Sequence, residues 1–234
     1  MSITEIAYDD AVNFLLPRHY SGRKPVVSKA FGVIEDGVLK AAITYGKPAS
    51  PWLCKGICGE RYSDAVYELN RMCRVDDYRE PLSRFVAATL RMLKPLNWIV
   101  VSYSDTAMNH HGYVYQACNF LYTGLSSPHA DKYNPNRSGH NRHSGLFDVR
   151  KDEFSVERSS KHRYIYFCTS SARLKREWME ALRYPVLPYP KGDNSNYELG
   201  SFIGTTIVNN ATRETVVVRN SETIERKPER TFLF

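Results

Sequence analysis

The stretch from Trp98 to Gly124 constrains the fold most, because it combines a buried strand, a polar loop, a short helix and a second strand in one continuous unit. Trp98 to Ser104 is a short apolar run rich in β-branched and aromatic residues, which is typical of a strand covered on both faces. In open α/β sheets, ligands bind at the carboxyl ends of central strands. Asp105 follows this strand directly, so it is either a functional carboxylate or a cap of the next turn.

The composition indicates the class of protein but not its fold. Of the 234 residues, 42% are hydrophobic and 24% are charged, which suits a globular chain with a full core. The net charge of +7 favours anionic partners such as nucleic acid. The N-terminus shows no basic segment before an apolar stretch, and no apolar run approaches the roughly 20 residues that span a bilayer. We therefore expect a cytosolic protein without a membrane partner.

The five cysteines indicate reduced thiols, because their number is odd and they are scattered along the chain. Cys54 and Cys58 are close in sequence, but no second pair of cysteines or histidines accompanies them at zinc spacing. We therefore do not expect a zinc site.

Strands and helices alternate around the central stretch. Tyr8 to Leu16 predicts a first helix, and Asp36-Gly37 predicts a hairpin with a type I′ turn. A strand is predicted from Val66, and an amphipathic helix follows over residues 82–94. Because this helix connects the Val66 strand to the Trp98 strand, the two strands should be parallel neighbours.

Two polar segments interrupt this pattern. Lys47 to Arg61, which contains Pro, Gly and Cys, is interpreted as a long connection that could bind a ligand. Residues 126–145 form a long polar insertion, which is either a solvated loop or a surface for the DNA backbone and bases. The candidate DNA contacts in this insertion are Lys132, Tyr133, Arg137 and Arg142.

These elements predict one α/β domain over residues 1–184, which contains the basic insertion 126–145. A strand at Lys161 to Thr169 and a basic amphipathic helix close the domain. Residues 185–234 are predicted as a C-terminal extension, loosely attached and either folded or partly disordered. Thr215 to Val218 is its one β-like run.

The order of elements and four motifs resemble a known group of enzymes. Helix, hairpin, strand, helix, strand, helix and strand, with Tyr115 four residues before Asn119-Phe120, resemble the GNAT acyltransferase superfamily. Four segments taken in order are more specific and resemble the phage Mom family of DNA-modification proteins. They are RHYSGR (18–23), ELNRMCR (68–74), WIVVSYSD (98–105) and GYVYQACNFLYTG (112–124).

The resemblance covers about residues 8–170 and implies a GNAT-like fold, with a mixed central sheet flanked by helices. It implies a transferase that adds a carbamoylmethyl group to the exocyclic amine of adenine in phage DNA, which shields the DNA from host restriction. Its partner would be double-stranded or locally opened DNA in the bacterial cytosol. A conventional acetyl-CoA-dependent N-acetyltransferase and a non-catalytic DNA-binding module are the alternatives. The oligomeric state stays open, and a homodimer is one possibility.

Four residues are the catalytic candidates. The resemblance makes Tyr115 the general acid for the departing group. Asp105 would act as the base or would bind the amine. His19 and Tyr20 would reach the site from the loop after the first helix.

The strand that begins at Val66 supplies candidates for binding the group donor. Strict alternation places Arg71 on one face and Glu68, Asn70 and Arg74 on the other. Arg74, at the exit of the strand, is the preferred contact for an anionic donor or a DNA phosphate. Arg71 and Ser104 complete the candidates for donor binding.

The donor itself stays open. Most members of the superfamily carry a Gly-rich loop whose backbone N–H groups approach a pyrophosphate, whereas Arg74 to Pro81 contains no Gly. The donor is therefore acetyl-CoA, a related acyl compound or another molecule. His19 and Asp105 could also help to bind iron, but the sequence shows no third ligand, so no metal ligand is assigned.

Overall fold

The computed structural model describes residues 2–19, 24–127, 129–132, 154–192 and 205–218. The strands are β1 (Ser2–Glu5), β2 (Lys29–Glu35), β3 (Val38–Gly46), β4 (Val66–Arg74), β5 (Trp98–Asp105), β6 (Leu121–Leu125), β7 (His129–Lys132), β8 (Phe154–Arg158), β9 (Lys161–Cys168), β10 (Thr205–Asn209) and β11 (Thr215–Val218). The helices are α1 (Tyr8–Leu15), α2 (Pro51–Cys58), α3 (Leu82–Leu93), α4 (Tyr113–Ala117) and α5 (Ala172–Ala181). Short 3-10 turns cover Glu60–Ala65, Lys94–Leu96 and Thr106–Met108.

A seven-stranded mixed sheet in the order β1-β2-β3-β4-β5-β9-β6 organises the fold. Strands β4 and β5 are parallel and are joined by α3, whereas the other neighbouring strands in this sheet are antiparallel. The predicted α/β class and the parallel pair are therefore confirmed. The predicted order of elements is also confirmed, with α2 as an additional helix before β4.

The hairpin of β2 and β3 forms where the sequence predicts it. Asp36 and Gly37 have φ angles of 51° and 76°. Positive φ at both central residues is the signature of a type I′ turn, which matches the twist of the strands that it joins.

Helices cover both faces of the sheet. The α3 face, covered by α3 and α4, buries a core that includes Tyr45, Phe85, Val100, Phe120 and Tyr164. The α5 face, covered by α2 and α5, buries a second core that includes Ile57, Ile99, Ile165 and Trp178. Neighbouring residues of β5 contribute to different cores, as the alternation of a buried strand requires.

The interpretation of Lys47 to Arg61 as a long loop is wrong, because most of it forms α2 and the 3-10 turn after it. The Ser50 side chain caps α2 by accepting a hydrogen bond from the Leu53 N–H at 3.3 Å, and Pro51 occupies the first turn. Cys54 and Cys58 are buried against α5, where the Cys58 thiol donates to the Trp178 carbonyl at 3.5 Å. This helix is therefore a structural part of the α5 face.

The insertion and the C-terminal extension share a second sheet in the order β11-β10-β8-β7. β7 lies inside the predicted insertion, and β10 of the extension pairs with β8. The predicted β-like run Thr215 to Val218 is confirmed as β11. These two strands of the extension are hydrogen-bonded, β10 to β8 and β11 to β10.

Residues 183–192, called the C-terminal strap below, lie along α2, β6 and α4. The Arg183 N–H donates to the Ile57 carbonyl at 2.9 Å, and the Leu187 N–H donates to the Tyr122 carbonyl at 2.9 Å. The Tyr189 hydroxyl donates to the Phe120 carbonyl at 2.8 Å. The boundary that we predict at residue 184 thus falls inside a segment that is bonded to the main sheet. In the described ranges, no helix is long and apolar enough to cross a membrane.

Candidate active site

Strands β4 and β5 separate towards their carboxyl ends. Their pairing covers Val66 to Glu68 against Ile99 to Val101 and stops there, although β4 continues to Arg74 and β5 to Asp105. We call the opening between Leu69–Arg74 and Ser102–Asp105 the cleft. Parallel strands that diverge at their carboxyl ends leave backbone groups available to a ligand, so the cleft is the natural binding position in this sheet.

A β-bulge at Asn70 shapes the β4 side of the cleft. Thr44 of β3 pairs with Arg71 and Tyr45 pairs with Leu69, so the register passes over Asn70. The Asn70 side chain accepts from the Thr44 hydroxyl at 2.7 Å and donates to the Val26 carbonyl at 2.7 Å. These two contacts fix the extra residue and the chain segment that approaches β3.

The bulge reverses the alternation of β4 in its second half. The residues that pack together on the α3 face are Tyr67, Leu69 and Met72. Arg71 therefore lies on the α5 face with Glu68, and Arg74 does not. The prediction that Glu68 shares a face with Arg74 is therefore wrong. The prediction that Arg71 and Arg74 lie on opposite faces is confirmed.

Tyr115 projects from α4 towards the α3 face of the cleft. The helix follows Gly112, which has φ 77° and packs so tightly that an added Cβ would lie 2.5 Å from the Tyr164 ring. Tyr115 is only 6% exposed, and this burial raises its pKa to about 12, although the Ser102 hydroxyl opposes the rise. The phenol is therefore protonated at neutral pH and can donate a proton.

Glu68 is a site residue that the sequence analysis considered only as a support for Arg74. Burial raises the pKa of its carboxyl group, although Arg71 and Lys161 act in the opposite direction. The negative charge of Glu68, which lies on the α5 face, also raises the pKa of Tyr115 on the α3 face. The sequence did contain a signal for Glu68, namely a carboxylate in the middle of a strand that core residues cover.

Asp105 is held by three contacts on the α5 face. Its side chain accepts from the Ala107 N–H at 3.0 Å and the Ser159 hydroxyl at 2.5 Å, and it forms an ion pair with Lys161 at 3.1 Å. The capping alternative is thus confirmed. Because β5 pairs without interruption with β9, Asp105 lies on the opposite face from Ser102 and Tyr115, so the structure does not bring Asp105 and Tyr115 side by side.

The three candidates for donor binding have different environments. Ser104 is buried on the α3 face and donates to the His110 carbonyl at 2.9 Å. Arg74 is exposed and donates to the Glu80 carbonyl at 2.9 Å. The Nη1 of Arg71 donates to the Asn70 carbonyl at 2.6 Å, and its buried Nε has no hydrogen-bond partner among the described residues. Of the three, only Arg74 is exposed, and the Arg71 Nε is a buried donor without a partner among the described residues.

The remaining predicted residues are described only in part. The His19 N–H donates to the Leu15 carbonyl at 2.8 Å just after α1, and its side chain is partly buried. Tyr20 lies outside the described residues. Lys132 lies at the end of β7, whereas Tyr133, Arg137 and Arg142 lie outside the described residues.

Metal binding gains no support from the described part of the chain. It contains no group of three or more His, Cys, Asp and Glu side chains that could hold a metal ion. The iron alternative therefore has no ligand set there.

The cleft fits the extended polar arm of an acyl-CoA donor better than it fits the diphosphate. The diverging strand edges leave backbone groups that can bind an extended polar arm. In the Gly-free segment before α3, the N–H groups of Val75 and Tyr78 already donate to backbone carbonyls, and Asp77 forms an ion pair with Lys40 at 2.6 Å. This segment does not fit the backbone cradle that a diphosphate requires.

Comparison with known proteins gives a family match and several relatives. The model of the Mom protein family matches residues 1–191. Methylcarbamoylase Mom of Escherichia phage Mu is 28% identical over 193 residues, which cover 74% of this chain and 77% of that protein.

Solved structures with similar folds have low sequence identity. An N-acetyltransferase from Staphylococcus aureus Mu50 has a TM-score of 0.43 and 13% identity, covering 72% of this chain and 98% of that one. The GphF GNAT-like decarboxylase in complex with isobutyryl-CoA has a TM-score of 0.39 and 14% identity, covering 72% and 100%. All cleft residues described above lie inside the range of the family match.

Proposed function

The chain belongs to the Mom protein family, and from this premise we propose that it is a DNA-modifying transferase that adds a carbamoylmethyl-type group to the exocyclic amine of adenine. Three of the four family-like motifs supply β4, β5 and α4, which line the cleft. The name of the phage Mu relative, a methylcarbamoylase, supports this class of transferred group.

The observation that carries the proposal is the presence of two ionisable groups with raised pKa values beside the point where β4 and β5 separate, Glu68 on β4 and Tyr115 on α4. The reaction needs a base to take a proton from a weakly nucleophilic amine and an acid to protonate the departing group. A partly buried carboxylate with a raised pKa and a buried phenol that stays protonated suit these two roles.

In the proposed mechanism, Glu68 takes the proton from the adenine amine as its nitrogen attacks the donor. Tyr115 gives its phenolic proton to the departing anion. Lys161, held by Asp105, opposes the rise in the pKa of Glu68. We therefore propose Asp105 as a positioning residue for Lys161 rather than as the base, because its oxygens already accept from three groups.

Donor and DNA contacts complete the proposal. Arg71, with its buried Nε, would bind a polar part of the donor, and Ser104 and Arg74 stay candidates for the same task. An acyl-CoA donor would supply an activated acyl carbon and a thiolate leaving group, but the Gly-free segment before α3 does not fit its diphosphate. We therefore propose the donor by class, as an activated compound held through an extended arm.

DNA would enter with one adenine turned out of the stack, because the amine is not accessible in a closed duplex. We retain His19 and Tyr20 as proposed contacts of this base. The proposed contacts of the DNA are Lys132, Tyr133, Arg137 and Arg142. A modified adenine would no longer be recognised by a restriction enzyme that reads its exocyclic amine.

Nucleoside mass spectrometry of DNA from bacteria that express the protein tests this function. We expect a modified adenine with the wild type and with E60Q, a surface control, and a strong loss with Y115F and E68Q. Ordinary nucleosides alone, with soluble wild-type protein, would refute the proposal. Transfer of an acetyl group to an amine outside DNA would instead indicate a conventional acetyltransferase. Unchanged biological activity and DNA affinity in Y115F would indicate a binding module.

A further inference from the structure

Helix α4, which carries Tyr115, depends on contacts with other parts of the chain for its position. It has only five residues, and Gly112 before it supplies no side-chain cap. Helices this short are marginal by themselves, so tertiary contacts must fix them. The contacts of α4 therefore decide where the Tyr115 hydroxyl lies relative to the cleft.

Gln116, the residue after Tyr115, makes three polar contacts with its side-chain amide. Its Nε2 lies 2.9 Å from the His111 carbonyl, 3.2 Å from the Pro190 carbonyl and 3.2 Å from the Tyr164 hydroxyl. Because the two carbonyls only accept, the N–H side of the amide must face them. One amide thus joins the loop before α4, strand β9 and the C-terminal strap.

Tyr164 of β9 transmits this arrangement to Tyr115. Its hydroxyl donates to the His111 carbonyl, so a lone pair of the same oxygen can accept from Gln116. The centre of its ring lies 5.2 Å from that of the Tyr115 ring, and the ring also packs against the backbone of Gly112. The amide that fixes the Tyr164 hydroxyl therefore also fixes the ring against which Tyr115 packs.

The C-terminal strap also holds the first turn of α4. The Tyr113 hydroxyl donates to the Gly192 carbonyl at 2.5 Å and accepts from the Gly192 N–H at 3.3 Å. An added Cβ at Gly192 would lie 2.5 Å from the His111 ring, so the strap is in close contact with the loop before α4. Residues 190–192 thus meet α4 at both Tyr113 and Gln116.

We propose that Gln116 is a positioning residue that fixes Tyr115 at the cleft through Tyr164 and the C-terminal strap. This inference rests on the proposed function, in which Tyr115 gives its proton to the departing anion. Displacing a reacting group by about 1 Å can cost about 100-fold in rate. The strap is then a working part of the active site, although Pro190 lies 74 residues after Gln116.

Two other residues provide matched controls. Tyr184 attaches the strap to the α5 face, where the Arg163 Cζ lies 3.5 Å from the centre of its ring. Thr89 has a buried hydroxyl that donates to the Val86 carbonyl at 2.9 Å. Replacing Tyr184 loosens the strap elsewhere, and replacing Thr89 removes a buried hydrogen bond elsewhere. Both replacements leave the three contacts of Gln116 in place.

The test uses the full chain with 3-fluorotyrosine at position 115, because the fluorine NMR shift reports the surroundings of this one ring. Q116L, which keeps a similar size and removes the N–H donors, is expected to move this resonance. It should also lower the rate at which modified adenine accumulates in the DNA of expressing bacteria about 10-fold to 100-fold. The dissociation constant for a short adenine-containing duplex should not change. Q116K, which restores N–H donors, should recover much of the resonance position and the rate, and Y184L and T89V should match the wild type in both.

With an active wild type, an unchanged resonance or an unchanged rate in folded Q116L would overturn the inference and leave Gln116 as a packing residue. Changes of the same size in Y184L or T89V would also overturn it, because they would indicate general damage to the strap or the core. If the wild type forms no modified adenine while Q116L alone moves the resonance, the proposed function fails and the positioning of Tyr115 by Gln116 stands. Circular dichroism of each variant confirms that it is folded before these values are compared.

Discussion

Replacing Glu68 by Gln is expected to lower activity and raise stability. Gln has nearly the shape of a protonated Glu, so the change removes the charge and leaves the packing of β4 in place. If Glu68 is the general base, its loss should lower kcat about 10²-fold to 10⁴-fold, the usual contribution of such a group. If Glu68 had only a structural role, its replacement by Gln would lower both kcat and the free energy of unfolding.

The sign of the stability change follows from the raised pKa of Glu68. Burial outweighs the attraction of Arg71 and Lys161, so the folded protein binds a proton at Glu68 more tightly than the unfolded chain does. Above the folded pKa, the ionised carboxylate lowers the free energy of unfolding by about 1.4 kcal/mol for each unit between the folded and unfolded pKa values. Below about pH 4.3, the unfolded value for Glu, both states are protonated and this cost disappears.

Urea unfolding at pH 8 and pH 4 measures the effect, and nucleoside mass spectrometry measures activity. E68Q should be more stable than the wild type at pH 8, and the two should converge at pH 4. E60Q is the control, because Glu60 forms an exposed ion pair with Lys55 and such pairs contribute little. If E68Q is less stable than the wild type at pH 8, the carboxylate supports the fold and the reasoning is refuted.

Three further changes have defined outcomes. G46A should destabilise the fold by about 1–3 kcal/mol in thermal denaturation, because the added Cβ would lie 1.8 Å from the Val26 carbonyl oxygen; a loss below that of G56A would contradict it. D105N should lower the free energy of unfolding by about 1–3 kcal/mol in urea, because the ion pair with Lys161 is lost; an unchanged midpoint would argue against this pair. Stability should fall above about pH 10, because unfolded tyrosines lose their protons there while buried ones retain them; equal urea midpoints at pH 9 and pH 11 would rule this out. The tyrosines concerned are Tyr45, Tyr103, Tyr115 and Tyr164.

Local signals predicted most of the elements that build the cleft. The Asp36-Gly37 turn, α3 and β5 all follow from residues next to one another in sequence, and the structure confirms them. Helix α2 also had local signals, namely Ser50 as cap and Pro51 in the first turn, but we gave more weight to the Pro and Gly content of the segment. That error was avoidable from the sequence.

The position of β9 between β5 and β6 could not be read from local sequence. It depends on pairing with β5 over Trp98 to Asp105 and with β6 around Leu121 and Tyr122. The pairing of β10 with β8 joins segments that are more than 40 residues apart, for the same reason. Strand propensity identifies the strands, but packing between distant segments selects their neighbours.

The choice of the base depends on what already holds each carboxylate, because Glu68 and Asp105 both lie on the α5 face. On β5, the unbroken pairing with β9 preserves strict alternation, so Asp105 points away from Ser102 and Tyr115 although it is close to them in sequence. On β4, the bulge at Asn70 breaks that alternation and brings Arg71 to the face of Glu68. Asp105 already accepts from three groups, whereas burial raises the pKa of the Glu68 carboxyl, whose charge in turn raises the pKa of Tyr115. A proton acceptor needs a lone pair that is not already used, so the three contacts of Asp105 argue against this residue as the base.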